Sequence, residues 1–231
     1  MISCKFPDWQ VNNCLPLGLD GGNEFGKTAA KCHYAIVNCY LALNELDNAK
    51  KELDKLTNVT TLQFDVSKKE EVFKAIESLP KQFKHIDILI NNAGNAHGLS
   101  TIQDGNTDDW DAMLDINVKG LLYVSKAILP QMVERNSGFV VNIGSIAGKE
   151  VYPNGNVYCA SKYAVNALNK AMRIDLNKHN IRVSAIHPGA VETEFSEVRF
   201  KGDKEKAKSV YKGFDPLQAK DIAEIIYFVV T

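Results

Sequence analysis

Tyr158 and Lys162 stand four residues apart in YCASK, a spacing that brings both side chains to one face of a helix. A Tyr phenol titrates near 10, too high for a base at neutral pH, and a nearby ammonium favours the phenolate. Moving a phenol about three units takes roughly 4 kcal/mol of differential interaction. One Lys supplies part of that, and a cationic cofactor ring would supply more. Ser145 follows the apolar run FVVNI directly, where its hydroxyl can hold a substrate oxygen. A Ser in such a place also serves as a turn residue or helix cap. Asn117, in LDINVKG, falls inside a helical pattern, where Asn has no local advantage. It is either an exposed polar position or the mark of a helix irregularity that relays protons from Lys162 through a water.

A second motif points elsewhere. Residues 21 to 28, GGNEFGKT, fit the phosphate-binding pattern G-x-x-x-x-G-K-[ST]. In such a loop backbone N–H groups cradle phosphate oxygens, here with Lys27 on the terminal phosphates and Thr28 on Mg²⁺. Asp65, at the end of TTLQFD, would be the second Mg²⁺ contact. The pattern needs a buried strand before it, and NNCLPLGLD makes a poor one because Pro16 and Gly18 interrupt its apolar run. An ATP- or GTP-hydrolysing reading therefore rests on Gly21, Gly26, Lys27 and Thr28 alone.

The elements that must position these residues alternate along the chain. NELDNAKKELDKL is a charged amphipathic helix and NVTTLQF a short strand. SKKEEVFKAIESL opens with Ser67 and Glu70 at capping-box spacing, predicting a helix there. HIDILI and FVVNI read as buried strands and IRVSAI as a further strand, with helical patterns over about 107–134, about 155–178 and DPLQAKDIAEIIYFVV between and after them. Strands separated by helices of this length imply βαβ units. The expected fold is α/β: one doubly wound domain over residues 1–231, a parallel sheet covered by helices on both faces. Ligands of such sheets bind beyond the carboxyl ends of the strands. Asp65, residues 91–94 (NNAG), Ser145 and the pair Pro188-Gly189 all stand just there in the sequence.

Composition excludes several classes. The 231 residues are 45% apolar and 24% charged with a net charge of −1, so neither nucleic acid nor an anionic membrane is favoured as partner. The five cysteines, Cys4, Cys14, Cys32, Cys39 and Cys159, form no C-x-x-C pair, which argues against a zinc site or disulfide framework and for a reducing compartment. With no membrane-length apolar run and no secretory-type amino terminus, the expectation is a cytoplasmic protein.

The order NNAG, Asn117, Ser145, Y-x-x-x-K and PG resembles the short-chain dehydrogenase/reductase family, from about residue 44 to residue 231. The resemblance implies a Rossmann-like fold over residues 1–231, with residues 1–43 atypical for the family, a nicotinamide cofactor, and hydride transfer between a secondary alcohol and a carbonyl. It makes Tyr158 the general acid/base, Lys162 its electrostatic partner and a ribose contact, Ser145 the holder of the reacting oxygen, and Asn117 a member of the proton relay. It also assigns Asp65 and Val66 to the adenine, Asn92, Ala93 and Gly94 to the adenine-ribose side, and Pro188, Gly189, Val191 and Thr193 to the segment over the nicotinamide. Family members are usually dimers or tetramers, which implies a homo-oligomer acting on a small molecule. ETEFSEVRFKGD and GNVYCASK together look like the NADP-dependent 3-hydroxy acid dehydrogenases, which oxidise serine, allo-threonine and related acids. Arg199 would suit the carboxylate of such a substrate through a bidentate contact; its other reading is an ordinary loop cation.

The amino-terminal region departs from that family. Aligning Gly26 with the last glycine of T-G-x-x-x-G-x-G puts Leu19, Asp20 and Glu24 where Thr, Gly and Gly belong, with Gly21 and Gly22 falling late. Carboxylates there repel phosphates, so GGNEFGKT reads as a degraded dinucleotide loop. YAIVNCYLAL reads as the second strand. Leu41 and Ala42 occupy the positions where NADP-specific members carry Arg, and no acidic residue suited to NAD stands there either. NADP is the expected cofactor, with NAD as the alternative. The chain ends at Thr231, where the family continues into a final strand, so the carboxyl terminus reads as shortened. A cofactor-impaired binding protein without turnover is the competing expectation.

Overall fold

The computed structural model describes residues 2–4, 34–39, 50–51, 53–55 and 57–231. Its main sheet has six parallel strands: β1 (Ile2–Cys4), β2 (Tyr34–Cys39), β3 (Gln63–Phe64), β4 (Ile88–Asn91), β5 (Gly138–Ile143) and β6 (Ile181–Ile186), in the order β3-β1-β2-β4-β5-β6. Between and after them lie α1 (Lys69–Glu77), α2 (Thr107–Leu114), α3 (Leu121–Arg135), α4 (Asn156–Leu176), α5 (Phe195–Arg199), α6 (Lys204–Ser209) and α7 (Ala219–Val230). A two-stranded parallel ribbon pairs β7 (Val191–Glu192) with β8 (Leu217–Gln218).

The period-two pattern of the strands sends alternate residues to opposite helical layers. Leu89, Val140, Ile181 and Val183 pack with α1, α3 and α4, through Val72, Ile76, Val124, Ile128, Met132 and Val165. Ile88, Ile90, Phe139, Val141 and Ile186 pack on the other side with Ile222 and Ile226 of α7. The three-layer α/β sandwich expected from the sequence is thus present.

Two local expectations are corrected. YAIVNCYLAL contributes the second strand in chain order, yet β2 sits in the middle of the sheet beside β4 and the three-residue β1 lies outside it, the reverse of the usual 3-2-1-4-5-6 arrangement. The longer strand has taken the interior place. Ser67 does not cap α1 either: the helix begins after Lys68 with no side-chain cap. Asp65, two residues earlier, captures the Ser67 N–H at 2.8 Å in an Asx turn, and Glu71 reaches back to the Asp65 N–H at 3.0 Å. The helical pattern of 107–134 resolves into α2, a π-helical turn at Asp115–Gly120, and α3.

A polar seam runs through this apolar interior. Asn91 at the end of β4 lies opposite Asn142 of β5, and its Nδ2 donates to Asn142 Oδ1 at 2.8 Å and to Ser125 Oγ at 3.0 Å. Asn142 Nδ2 donates in turn to Asn169 Oδ1 at 3.0 Å. All four side chains are buried, and the bonds tie two strands to α3 and α4. The sheet's carboxyl edge is thereby fixed just below the loops that carry the candidate site.

Candidate active site

Three strand ends and one helix converge. Beyond β4 the NNAG loop turns over the sheet; beyond β5 come Gly144 and Ser145; beyond β6 come Pro188 and Gly189. α4 brings Tyr158 and Lys162 up beside them on consecutive turns. Both are buried, as are Asn117 and Ser145.

The π-helical turn at 115–120 widens the helix by one residue and aims Asn117 inward. Its Oδ1 accepts from the Asn95 N–H at 2.8 Å and its Nδ2 donates to Asn95 O at 2.8 Å and to Ser161 Oγ at 2.9 Å. Ser161 Oγ donates to Tyr158 O at 2.8 Å. Asn117 therefore clamps the NNAG loop against the catalytic helix. Gly94 completes the fit, since a Cβ there would stand 3.2 Å from Asn117 Oδ1 and 3.3 Å from Lys162 Nζ. Backbone and ammonium meet openly at this point because residue 94 is glycine.

Burial dominates the electrostatics. It pushes the Tyr158 phenol up to about 12, against the opposing pull of a hydrogen bond with Ser145 and the charge of Arg199. It pushes Lys162 down to about 8. The Lys162 ammonium donates to Ile143 O at 3.1 Å. The expected lowering of the phenol by Lys162 is not what governs this state: desolvation of the ring outweighs the favourable charges. Tyr158 here is a firmly protonated acid.

Beside Tyr158 opens a small cleft bordered by His97, Ser100, Asp109, Trp110, Asn156 and Arg199. Arg199 reaches over it from α5, its guanidinium carbon 5.5 Å from the Tyr158 ring centroid. Phe195 of the same helix packs against that ring with centroids 5.7 Å apart. Lys201 pairs with Asp109 at 2.9 Å on the rim. His97 Nε2 stands 2.7 Å from Asn95 Nδ2, and burial holds this imidazole below its usual range against the pull of Asp109.

The structure thus brings together Asn117, Ser145, Tyr158, Lys162, Gly94 and Arg199. Pro188 O accepts from the Ile146 N–H at 3.0 Å, which ties the PG segment to the loop of Ser145. Gly189 and Val191 follow it, and Thr193 Oγ1 accepts from the Phe195 N–H at 3.3 Å. Asn92 and Ala93 lie in the NNAG loop, partly buried. Asp65 spends its carboxylate on Ser67, and Val66 is wholly buried against Gly120, whose Cβ would meet it at 2.9 Å. Val66 is a core residue here. Gly21, Gly22, Gly26, Lys27, Thr28, Leu41 and Ala42 lie outside the described residues. Sequence reasoning missed Tyr152, His97 and Asn95, which sit in irregular loops where no periodicity marks them. Among the described residues no cluster of His, Cys, Asp or Glu is arranged to hold a metal, and no helix is long and apolar enough to cross a membrane.

Comparison with known proteins defines the class. The family model described as short chain dehydrogenase matches residues 20–204. The NADP-dependent 3-hydroxy acid dehydrogenase of Schizosaccharomyces pombe is 45% identical over 188 residues, 80% of this chain and 73% of its own. Sulfoacetaldehyde reductase 2 of Chromohalobacter salexigens is 38% identical over 213 residues, 90% of this chain and 84% of its own. Among solved structures, the closed form of serine dehydrogenase complexed with NADP⁺ superposes with a TM-score of 0.82 at 40% identity, covering 90% of this chain and 82% of that one. The chain belongs to the short-chain dehydrogenase family of oxidoreductases.

Proposed function

We propose that this protein transfers a hydride between NADP and the 3-hydroxyl of a short acid such as serine, allo-threonine or 3-hydroxypropionate. The observation that carries the reading is Arg199, a guanidinium poised over the cleft 5.5 Å from the buried phenol of Tyr158. A planar cation at that place suits a carboxylate while the carbinol oxygen lies against Tyr158 and Ser145. The names of the relatives agree on one chemical feature. A 3-oxo acid and sulfoacetaldehyde both carry an anionic group one carbon away from a carbonyl.

The residues around Lys162 fit the nicotinamide-ribose half of such a cofactor: Lys162 keeps ammonium donors beyond the one given to Ile143 O, and Gly94 leaves backbone exposed to it. When bound, the nicotinamide supplies or accepts the hydride. The chain's own groups handle the proton and the geometry. Ser145 and Tyr158 hold the substrate oxygen between two hydroxyls. Tyr158, a phenol throughout the neutral range, gives its proton to a carbonyl oxygen in the reductive direction. In the oxidative direction it must first lose that proton, with Lys162 and the cationic ring favouring the phenolate. Asn117 holds the NNAG loop in register with α4 during both. Asp65, Asn92, Ala93, Pro188, Gly189, Val191 and Thr193 would border the cofactor, as the family resemblance implies. We read the protein as a cytoplasmic homo-oligomer, in keeping with a buried free thiol at Cys159 and with the habits of the family.

Calorimetric titration with NADP⁺, NAD⁺ and Mg-ATP in parallel tests the cofactor. NADP⁺ binds at micromolar concentration and Mg-ATP does not. Failure of both dinucleotides would favour a cofactor-impaired binding protein, the reading suggested by Asp20 and Glu24 in the glycine loop. Binding and hydrolysis of Mg-ATP, abolished by Lys27→Ala, would favour the phosphate loop. Arg199→Ala tests the substrate: KM for 3-hydroxypropionate rises roughly 10–100-fold, the scale of a lost charge-assisted bond, while a neutral alcohol is little affected. Equal effects on both would remove the acid from the proposal.

A further inference from the structure

Arg199 is held from two directions. Its Nη2 donates to Tyr152 Oη at 2.8 Å and its Nε to Gly98 O at 3.2 Å, and the Gly98 N–H returns a bond to Arg199 O at 2.9 Å. The guanidinium carbon stands 5.4 Å from the Tyr152 ring centroid, almost the same as its 5.5 Å from that of Tyr158. It therefore sits between two phenol rings, one of which reacts and one of which is a fixture.

Tyr152 is built into the entrance of α4. The Gly155 N–H donates to Tyr152 O at 3.1 Å, closing a turn, and a Cβ on Gly155 would meet the Tyr152 ring at 2.4 Å. Glycine at 155 lets that ring lie against the residue that caps the helix. Tyr158 is on the first turn beyond. A single phenol thus connects the guanidinium of α5 to the start of the helix that carries the proton donor. Burial keeps Tyr152 a neutral phenol, the state in which its oxygen accepts from a cation.

We propose that Tyr152 is a positioning residue that fixes the distance between the anion-binding guanidinium of Arg199 and the reacting phenol of Tyr158. It thereby selects substrates in which one carbon separates the anionic group from the carbinol carbon. This rests on the reading of Arg199 as the anion contact. A carboxylate seated on a tethered guanidinium presents the carbon two bonds along to Ser145 and Tyr158. An acid with one more methylene overshoots, and a 2-hydroxy acid falls short. A sulfonate of the same spacing fits by the same measure. Without the Tyr152 oxygen, Arg199 keeps its charge and its bond to Gly98 but gains a free arm, so affinity for anions falls modestly and discrimination by length falls more.

The test compares parent, Tyr152→Phe, Arg199→Ala and Arg199→Lys on 3-hydroxypropionate, lactate, 4-hydroxybutanoate and propan-1-ol, with calorimetric affinity for 3-hydroxypropionate on the NADP⁺-saturated protein as a readout free of turnover. Tyr152→Phe lowers the kcat/KM preference for 3-hydroxypropionate over both other acids by roughly tenfold, the scale of one hydrogen bond to a charged group, and leaves propan-1-ol unchanged. Arg199→Lys, which keeps a cation but lacks the fork, retains the preference for acids over propan-1-ol and loses the preference among acids. That variant carries the test if Tyr152→Phe does not fold. The double variant Tyr152→Phe, Arg199→Ala is no worse than Arg199→Ala alone. If Arg199→Ala distinguishes acid from alcohol while Tyr152→Phe keeps the length preference, the inference fails and the anion contact stands. If Tyr152→Phe depresses all four substrates alike, Tyr152 is a support of α4 and the inference also fails. If Arg199→Ala treats acid and alcohol alike, the anion contact itself is wrong, and the two failures are told apart.

Discussion

A Tyr158→Phe protein turns over about 10²–10⁴-fold more slowly than the parent, the range supplied by a positioned general acid, and binds NADP⁺ almost as well. The change removes one oxygen. The ring keeps its packing against Phe195 and the apolar contacts with Ala96, Met113, Ala147 and Cys159, so the fold and the cleft survive. What is lost is the proton that meets the substrate oxygen. Because burial holds that phenol near 12, the parent's reductive rate stays level through neutral pH, whereas its oxidative rate rises with pH as the phenolate becomes accessible. In the Phe variant the oxidative dependence disappears. Single-turnover kinetics in both directions, with a melting curve as a control on folding, makes the measurement. Turnover within a few-fold of the parent would mean that another group carries the proton.

Lys162→Met gives the opposite pairing of effects: an enzyme crippled in turnover but more stable. Burial lowers the Lys162 ammonium from 10.5 to about 8, so the folded protein prefers the neutral amine more than the unfolded chain does. Below pH 8 both states are charged and the full cost of the buried cation is present, about 3 kcal/mol on the order-of-magnitude scale of 1.36 kcal/mol per unit. Between about 8 and 10.5 the unfolded chain binds the extra proton, so the parent gains stability as pH rises and the cost fades. Met fills similar space without a charge. Urea unfolding at pH 7 therefore shows the variant the more stable by a few kcal/mol, and at pH 10 the gap narrows markedly. A gap that is the same at both values would show that Lys162 is not titrating in the interior. Such a residue is kept for chemistry at the expense of stability.

What the sequence made legible follows physical lines. β4 and β5 are compact apolar runs buried on both faces, β6 buries Ile181, Val183 and Ile186 while Arg182 is exposed, and each was readable from its pattern and its flanks. So were Tyr158 and Lys162, because a four-residue spacing on a long helix leaves one geometry. The helix irregularity that an inward-facing Asn117 suggested is the π-turn at Asp115–Gly120, while the other reading, an exposed polar position, fails because Asn117 is buried. The Ser67 capping box was misread because Asp65 takes the Ser67 N–H that the Glu70 side chain would have bonded in such a box, a contest between neighbours that spacing alone does not decide. The places of β1 and β2 in the sheet depend on pairing across the chain and not on either strand's own residues. Tyr152, Asn95 and His97 were invisible for a related reason: their places are set by partners distant in sequence, Arg199 for Tyr152, Asn117 for Asn95, and the cleft beside Tyr158 for His97.

The amide seam of Asn91, Asn142 and Asn169 has a meaning for assembly of the sheet. ILIN and GFVVNI are apolar runs whose Ile, Leu and Val could pair almost equally well if one strand slid along the other. A slip of one residue would set Asn91 against Val141 or Ile143 instead of Asn142 and would turn alternate side chains to the wrong layer. The amides would then be entombed without partners, at about 1–3 kcal/mol for each stranded group. The native alignment satisfies them together. The seam works as a proofreading mark within an otherwise repetitive text, and it is read before any ligand arrives, so the loops bearing Gly94 and Ser145 emerge from the two strands at matched heights.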